Sequence, residues 1–168
     1  VTVTPINDAP VLAPGSRAMT SIFEDLNSNT PAPAPTGVVG TAVTAFIGTT
    51  TDADEGAVRG VAITGADTAN GTWWFTVDNG ATWSQLPAVS DASAVLMSNS
   101  ASSRLYFQPN ADFIGTASVT IRAWDQTSGT NGGTADTTVN GGQSAFSSAA
   151  GPVTIDVRPI ADIVADVI

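Results

Sequence analysis

Thr116-Ala117-Ser118-Val119-Thr120-Ile121-Arg122-Ala123-Trp124 sets Val119, Ile121 and Ala123 against Thr120, Arg122 and Trp124. A period of two is that of a strand with one face turned to a core. The first set predicts the core face, which leaves Trp124 on the polar one. Trp73-Trp74-Phe75-Thr76-Val77 repeats the pattern, with Trp74 and Thr76 outside. Working outward, β-branched and aromatic runs bounded by turn residues predict strands at 18–23, 41–47, 60–66, 72–77, 81–86, 104–108, 116–124 and 153–157. Asp78-Asn79-Gly80 between two aromatic runs predicts a tight hairpin turn, where Asn-Gly supplies positive φ. A short helical turn is expected over 90–96, with Asp91 as its cap. Seven or eight strands in this length predict an all-β, two-sheet Greek-key sandwich of immunoglobulin-like type.

Composition narrows the chemistry. The 168 residues include 13 Asp and two Glu against five Arg, with no Lys, His or Cys. A net charge of -10 repels phosphate backbones and anionic lipid, so nucleic acid and membrane surfaces are poor partners. Lacking Cys, the chain has no disulfide framework. Lacking His and Lys, it has no usual general base, zinc ligand or amine nucleophile. A carboxylate acid/base pair is all that survives of enzyme chemistry, and the expectation is a non-enzyme. No run of 18 apolar residues is present to insert into a membrane.

The two ends resemble each other: Val3-Thr4-Pro5-Ile6-Asn7-Asp8 aligns with Val157-Arg158-Pro159-Ile160-Ala161-Asp162. A terminal strand recurring after one domain length marks one repeat of a tandem array. The expected division is a linker over 1–10, a sandwich over 11–158 and a second linker over 159–168. Two insertions interrupt the sandwich. Residues 27–37 contain Pro31-Ala32-Pro33-Ala34-Pro35, an extended polyproline-like connector. Residues 127–151 are glycine-rich and precede the last strand. A connection that long is uncommon unless it is functional or disordered.

Acidic residues form the main candidate site. Strand counting brings Asp52 and Asp54 back to the pole where the chain enters through Asn7 and Asp8, and delivers Asp125 there from the long strand. Carboxylates gathered at one pole repel unless a cation neutralises them. Ca2+, which takes six to eight oxygens in irregular geometry, suits such loops. Several ions are expected.

Trp124-Asp125-Gln126-Thr127-Ser128 runs into the glycine-rich insertion. A tryptophan on a polar face needs a cover, either the insertion or a ligand, and Trp74 poses the same question. The insertion is expected to be ordered over Trp124, held by Ca2+ through Asp136 or nearby carbonyls, because its composition buries little apolar surface.

Asn7-Asp8-Ala9-Pro10, an early Glu24-Asp25, Asp52-Ala53-Asp54 and Ala123-Trp124-Asp125 resemble cadherin-type repeats, most closely the cadherin-like domains of giant RTX adhesins of Gram-negative bacteria. No Leu-Asp-Arg-Glu motif is present. The resemblance implies that Asn7, Asp8, Asp52, Asp54 and Asp125 are calcium ligands, and that Glu24 faces the exit linker and Asp162. It also implies an extracellular module on a bacterial surface, acting in adhesion and biofilm and flanked by neighbouring repeats. Trp124 to Ser128 with the insertion is similar to calcium-dependent peptide-binding modules of such adhesins, which hold a partner protein's free C-terminus. The implied ligand surface is Trp124, Asp125, Gln126, Thr127, Ser128 and Trp74, facing a protein on a host or neighbouring cell. Two alternatives stay open: a calcium-rigidified spacer repeat without ligand, and a calcium-dependent carbohydrate-binding module stacking sugar on Trp74 or Trp124.

Overall fold

A computed structural model describes residues 5–24 and 33–160. The early strands are short: β1 Val11–Leu12, β2 Arg17–Ala18, β3 Ile22–Phe23, β4 Thr41–Ala42 and β5 Thr50–Thr51, with a helical turn, α1 Val43–Phe46, between the last two. Longer strands follow: β6 Gly60–Ala66, β7 Gly71–Thr76, β8 Ser84–Gln85, β9 Ala94–Ser98, β10 Arg104–Pro109, β11 Gly115–Trp124, β12 Thr134–Ala135 and β13 Phe146–Arg158. They form an all-β sandwich. One sheet has the order β4-β10-β7-β8, the larger has β12-β9-β6-β11-β13-β2 with β3 also on β13, and β1 pairs with β5 alone.

The two sheets enclose one core. Trp73, Leu105 and Phe107 come from the smaller sheet, and Val61, Ile63, Val95, Val119, Ile121 and Ile155 from the larger. Trp73 and Phe107 pack with ring centroids 4.7 Å apart, a tilted pair. The alternation of β11 holds: Ala117, Val119, Ile121 and Ala123 are all buried on the core side. The expected positive φ is present, 59° at Asn79 and 84° at Gly80, but the hairpin is not tight: seven residues, 77–83, join β7 to β8.

Four expectations change. Residues 41–47 are not one strand, because Val43, Phe46 and Ile47 bury together at i, i+3, i+4 spacing, which a helical turn satisfies and a strand does not. Residues 90–96 are not helical. Ala94, Val95, Leu96 and Met97 are buried without alternation, because β9 is covered on both faces. Residues 18–23 split into β2 and β3, each parallel to β13. The last strand begins seven residues early, at Phe146 rather than Val153, so the end of the insertion is strand.

The insertion builds a second, outer core. Trp124 packs with Ala62, Ala94, Leu96, Ala145 and Phe146 on the face of the large sheet turned away from the sandwich. Alanines at 62 and 94 leave room for the indole, and Gly60 is required: a Cβ there would lie 2.6 Å from the Trp124 ring. β12 adds an edge strand to β9, and Leu96 exchanges backbone hydrogen bonds with Gly132 and Gly133. Thus the insertion is ordered by strand pairing and apolar cover.

Candidate metal-binding pole

β11 runs from one pole of the sandwich to the other, its ten residues spanning roughly 30 Å. Trp124 pairs with Phe146 at one end and Gly115 with Val157 at the other. Asp125, the residue after β11, therefore sits at the pole that also receives Asp52 and Asp54 from the loop after β5. Asn7 arrives there just before β1. A cleft of about 250 Å³ is lined by Asn7, Asp52, Asp54, Glu55, Asp125, Gln126 and Thr127.

Asp125 is 2% exposed and holds only neutral donors. Its Oδ1 accepts from the Thr127 amide at 2.8 Å and the Thr127 hydroxyl at 2.6 Å, and its Oδ2 accepts from Asn7 Nδ2 at 2.9 Å. Asp52 Oδ1 accepts from the Asp54 amide, and Asp54 Oδ2 from the Asp8 amide, each at 2.9 Å. Among the described residues, Asp52 Oδ2 is buried with no hydrogen-bond partner, and so is Thr50 Oγ1 two residues earlier. Among the described residues, the ion pair found is Arg122–Asp91, and none neutralises this cleft. A buried carboxylate oxygen without a partner costs free energy, and a hard cation removes that cost.

The donor chemistry fits Ca2+ rather than a softer metal: carboxylates, an amide and carbonyls, without nitrogen or sulfur ligands. As the side chains stand, no three acidic groups among the described residues form a ready metal-ligating set. Mutual repulsion favours splayed carboxylates, each turned to an amide or hydroxyl. Asn7 Nδ2 marks an oxygen-lined spot, with Asp125 Oδ2 at 2.9 Å and the Gln143 and Ser144 carbonyls at 3.3 Å each. These two carbonyls escaped the sequence reading. The signal for them was Gly141-Gly142, whose φ values of 69° and 59° turn the insertion toward the linker, where Gly142 accepts from the Ala9 amide.

The other expected residues fall elsewhere. Asp8 is exposed and brings its amide, rather than its carboxylate, to the cleft. Glu24 lies at the opposite pole and accepts from the Ile160 amide at 3.1 Å. Asp162 lies outside the described residues. Asp136 does not join the cleft: it is exposed, and its carboxylate is taken by the Thr138 hydroxyl and amide, which lower its pKa. The insertion is pinned by Asp91 instead, which accepts from Thr137 and pairs with Arg122.

The expected ligand surface divides. Gln126 and Thr127 line the cleft. Trp124 does not offer a platform, since it is 1% exposed with its indole N–H bonded to the Ser128 carbonyl at 2.7 Å. Ser128 thereby caps Trp124 through its backbone. Trp74 is half-buried on the smaller sheet and donates to Gln108 Oε1.

Among the described residues, no helix is long and apolar enough to cross a membrane. No protein family, characterised protein or solved structure matches this chain.

Proposed function

We propose that this chain is a calcium-dependent, non-enzymatic adhesion module of an extracellular bacterial surface protein, and that Ca2+ bound at the Asn7–Asp125 pole stiffens its junction with the preceding segment. The observation that carries this reading is the convergence of Asp52, Asp54 and buried Asp125 with Asn7 around one cleft, with Asp52 Oδ2 unpartnered. Asp52, Asp54 and Asp125 would supply charge, the Gln143 and Ser144 carbonyls would supply neutral oxygens, and Asn7 would add its Oδ1 once its amide turns over from the donating orientation it has here. The ion would offset carboxylate repulsion and tie linker, sandwich and insertion together. Calorimetric titration with CaCl2, after chelation, tests it: saturable binding is expected in the wild type and a large loss in Asp52→Ala. Absence of binding at millimolar Ca2+ would overturn the proposal.

A ligand reading also has support. The cleft adjoins a wider hollow of about 520 Å³ lined by Pro5, Ile6, Asn7, Asp54 and Glu55. That hollow would admit a carboxylate, such as a partner protein's C-terminus, to a bound ion. Burial of Trp124 weighs against sugar stacking there.

A further inference from the structure

Five arginines are the chain's only cationic side chains, and Arg17 is 7% exposed. Its position at the start of β2, opposite Val153 of β13, sends the guanidinium under the edge of the sandwich. Nε donates to the Ile47 carbonyl at 3.2 Å, Nη1 to the Gly15 carbonyl at 3.2 Å, and Nη2 to the Ala13 carbonyl. All three acceptors are neutral, and no carboxylate among the described residues pairs with Arg17. A guanidinium carries five N–H groups in a fixed fork. Among the described residues three are engaged, which leaves one on each terminal nitrogen.

Beside this group lies a cleft of about 230 Å³. Leu12 and Pro14 form one wall, and Ala149, Gly151 and Pro152 of β13 the other. The β13 wall carries the smallest side chains where the strand passes Arg17. A Cβ built on Gly151 would lie 3.1 Å from Nη1, so the guanidinium rests directly over side-chain-free backbone. Pro152, having no N–H, gives that wall no donor of its own. Apolar walls around one partly uncommitted cation form a small-ligand site with a single polar anchor.

We propose that the Arg17 cleft binds one carboxylate group carried on a small aliphatic or peptide stem. The planar fork matches a carboxylate in two parallel N–H···O bonds. A monoanion is favoured over phosphate because the net charge of -10 penalises each added negative charge. The cleft stands apart from the acidic pole, so this inference holds whether or not Ca2+ binds there.

Two sources share this chemistry, a free small acid and the end of a peptide chain. The test is a 1H–15N NMR titration of the chain in chelator with sodium acetate, tri-alanine and tri-alanine amide, at constant ionic strength. Saturable shifts at the Gly15, Ala149, Ala150 and Gly151 amides and at Arg17 Nε are expected with tri-alanine, and none with its amide. Stronger binding of tri-alanine than of acetate identifies a chain end, and equal binding identifies a free acid. Arg17→Gln should abolish the response. Because Arg17 also holds three carbonyls, Gly151→Ala serves as the second variant: its methyl crowds Nη1 while the anchors remain. It should weaken tri-alanine about tenfold, the loss of a charge-assisted bond. Equal shifts with acid and amide, no shift at millimolar tri-alanine, or an unchanged response in folded Gly151→Ala would each overturn the proposal.

Discussion

Asn7 and Asp125 lie 118 residues apart in sequence, yet the Asn7 amide donates to the Asp125 carboxylate at 2.9 Å. The segment ahead of β1 is thereby fastened to the end of β11. Removing either partner should be felt at both. Asp125→Ala leaves the Thr127 and Asn7 donors without their acceptor, at a cost of about 1–3 kcal/mol. Urea denaturation in chelator should show that loss, and Asp67→Ala, whose exposed carboxylate receives the nearby Ala69 amide, should show almost none.

Calcium should raise the melting temperature. At ten times its dissociation constant each ion adds about 1.4 kcal/mol, and roughly 2–4 °C follows per kcal/mol in a domain of this size. Differential scanning calorimetry in chelator and in excess CaCl2 checks this. Asp52→Ala and Asp54→Ala should lose most of the shift, and Asp136→Ala should keep it, because Asp136 is committed to Thr138 away from the cleft.

Residues 127–151 should resist proteolysis even in chelator, since edge pairing with β9 and the cover over Trp124 hold them. Trp124→Ala should cost about 3–5 kcal/mol and open the insertion to cleavage. Limited trypsin-free digestion with a broad-specificity protease, read by mass spectrometry, gives the outcome. Rapid cutting of the wild type within this segment in chelator would contradict the packing described.

The hairpin turn should respond to acid. Hydrogen bonds from the Thr82 hydroxyl and amide, then the Thr76 hydroxyl, lower the Asp78 pKa from 3.8 to about 2. A depressed carboxylate contributes stability above its unfolded value, and that contribution fades as pH falls from about 4 toward 2. Melting curves across this range should slope less steeply for Asp78→Ala than for the wild type.

The sandwich was legible because its long strands alternate, and β11 shows why: period two survives wherever one face is buried and the other is not. β9 escaped the same reading. Its outer face is covered by a segment more than thirty residues later, so Leu96 is as buried as Val95 and no alternation remains. Asp52, Asp54 and Asp125 do share one cleft, as counting strands expected, although most of the 41–47 strand used in that count is a helical turn. The role of Asp91 could not be read that way, since Thr137 lies 46 residues away and only the folded insertion brings it near, whereas Asp136 takes Thr138 two residues on, a local turn. Parity placed Trp124 outside the main core. What covers it is a non-local matter that parity does not reach.

The parallel pairing of β2 and β3 with β13 has a mechanical consequence. Val153 lies beside Arg17, and Val157 beside Ile22, with the strands running in the same direction. Tension that draws the segment before β1 one way and the segment after β13 the other slides these strands along each other. Their hydrogen bonds, including that from Met19 to Thr154, are loaded side by side and must yield together, whereas a hairpin pulled from its open end tears one bond at a time. The joint of β2 and β3 with the last strand is thus a shear clamp, set where a pulling force on the chain would be borne.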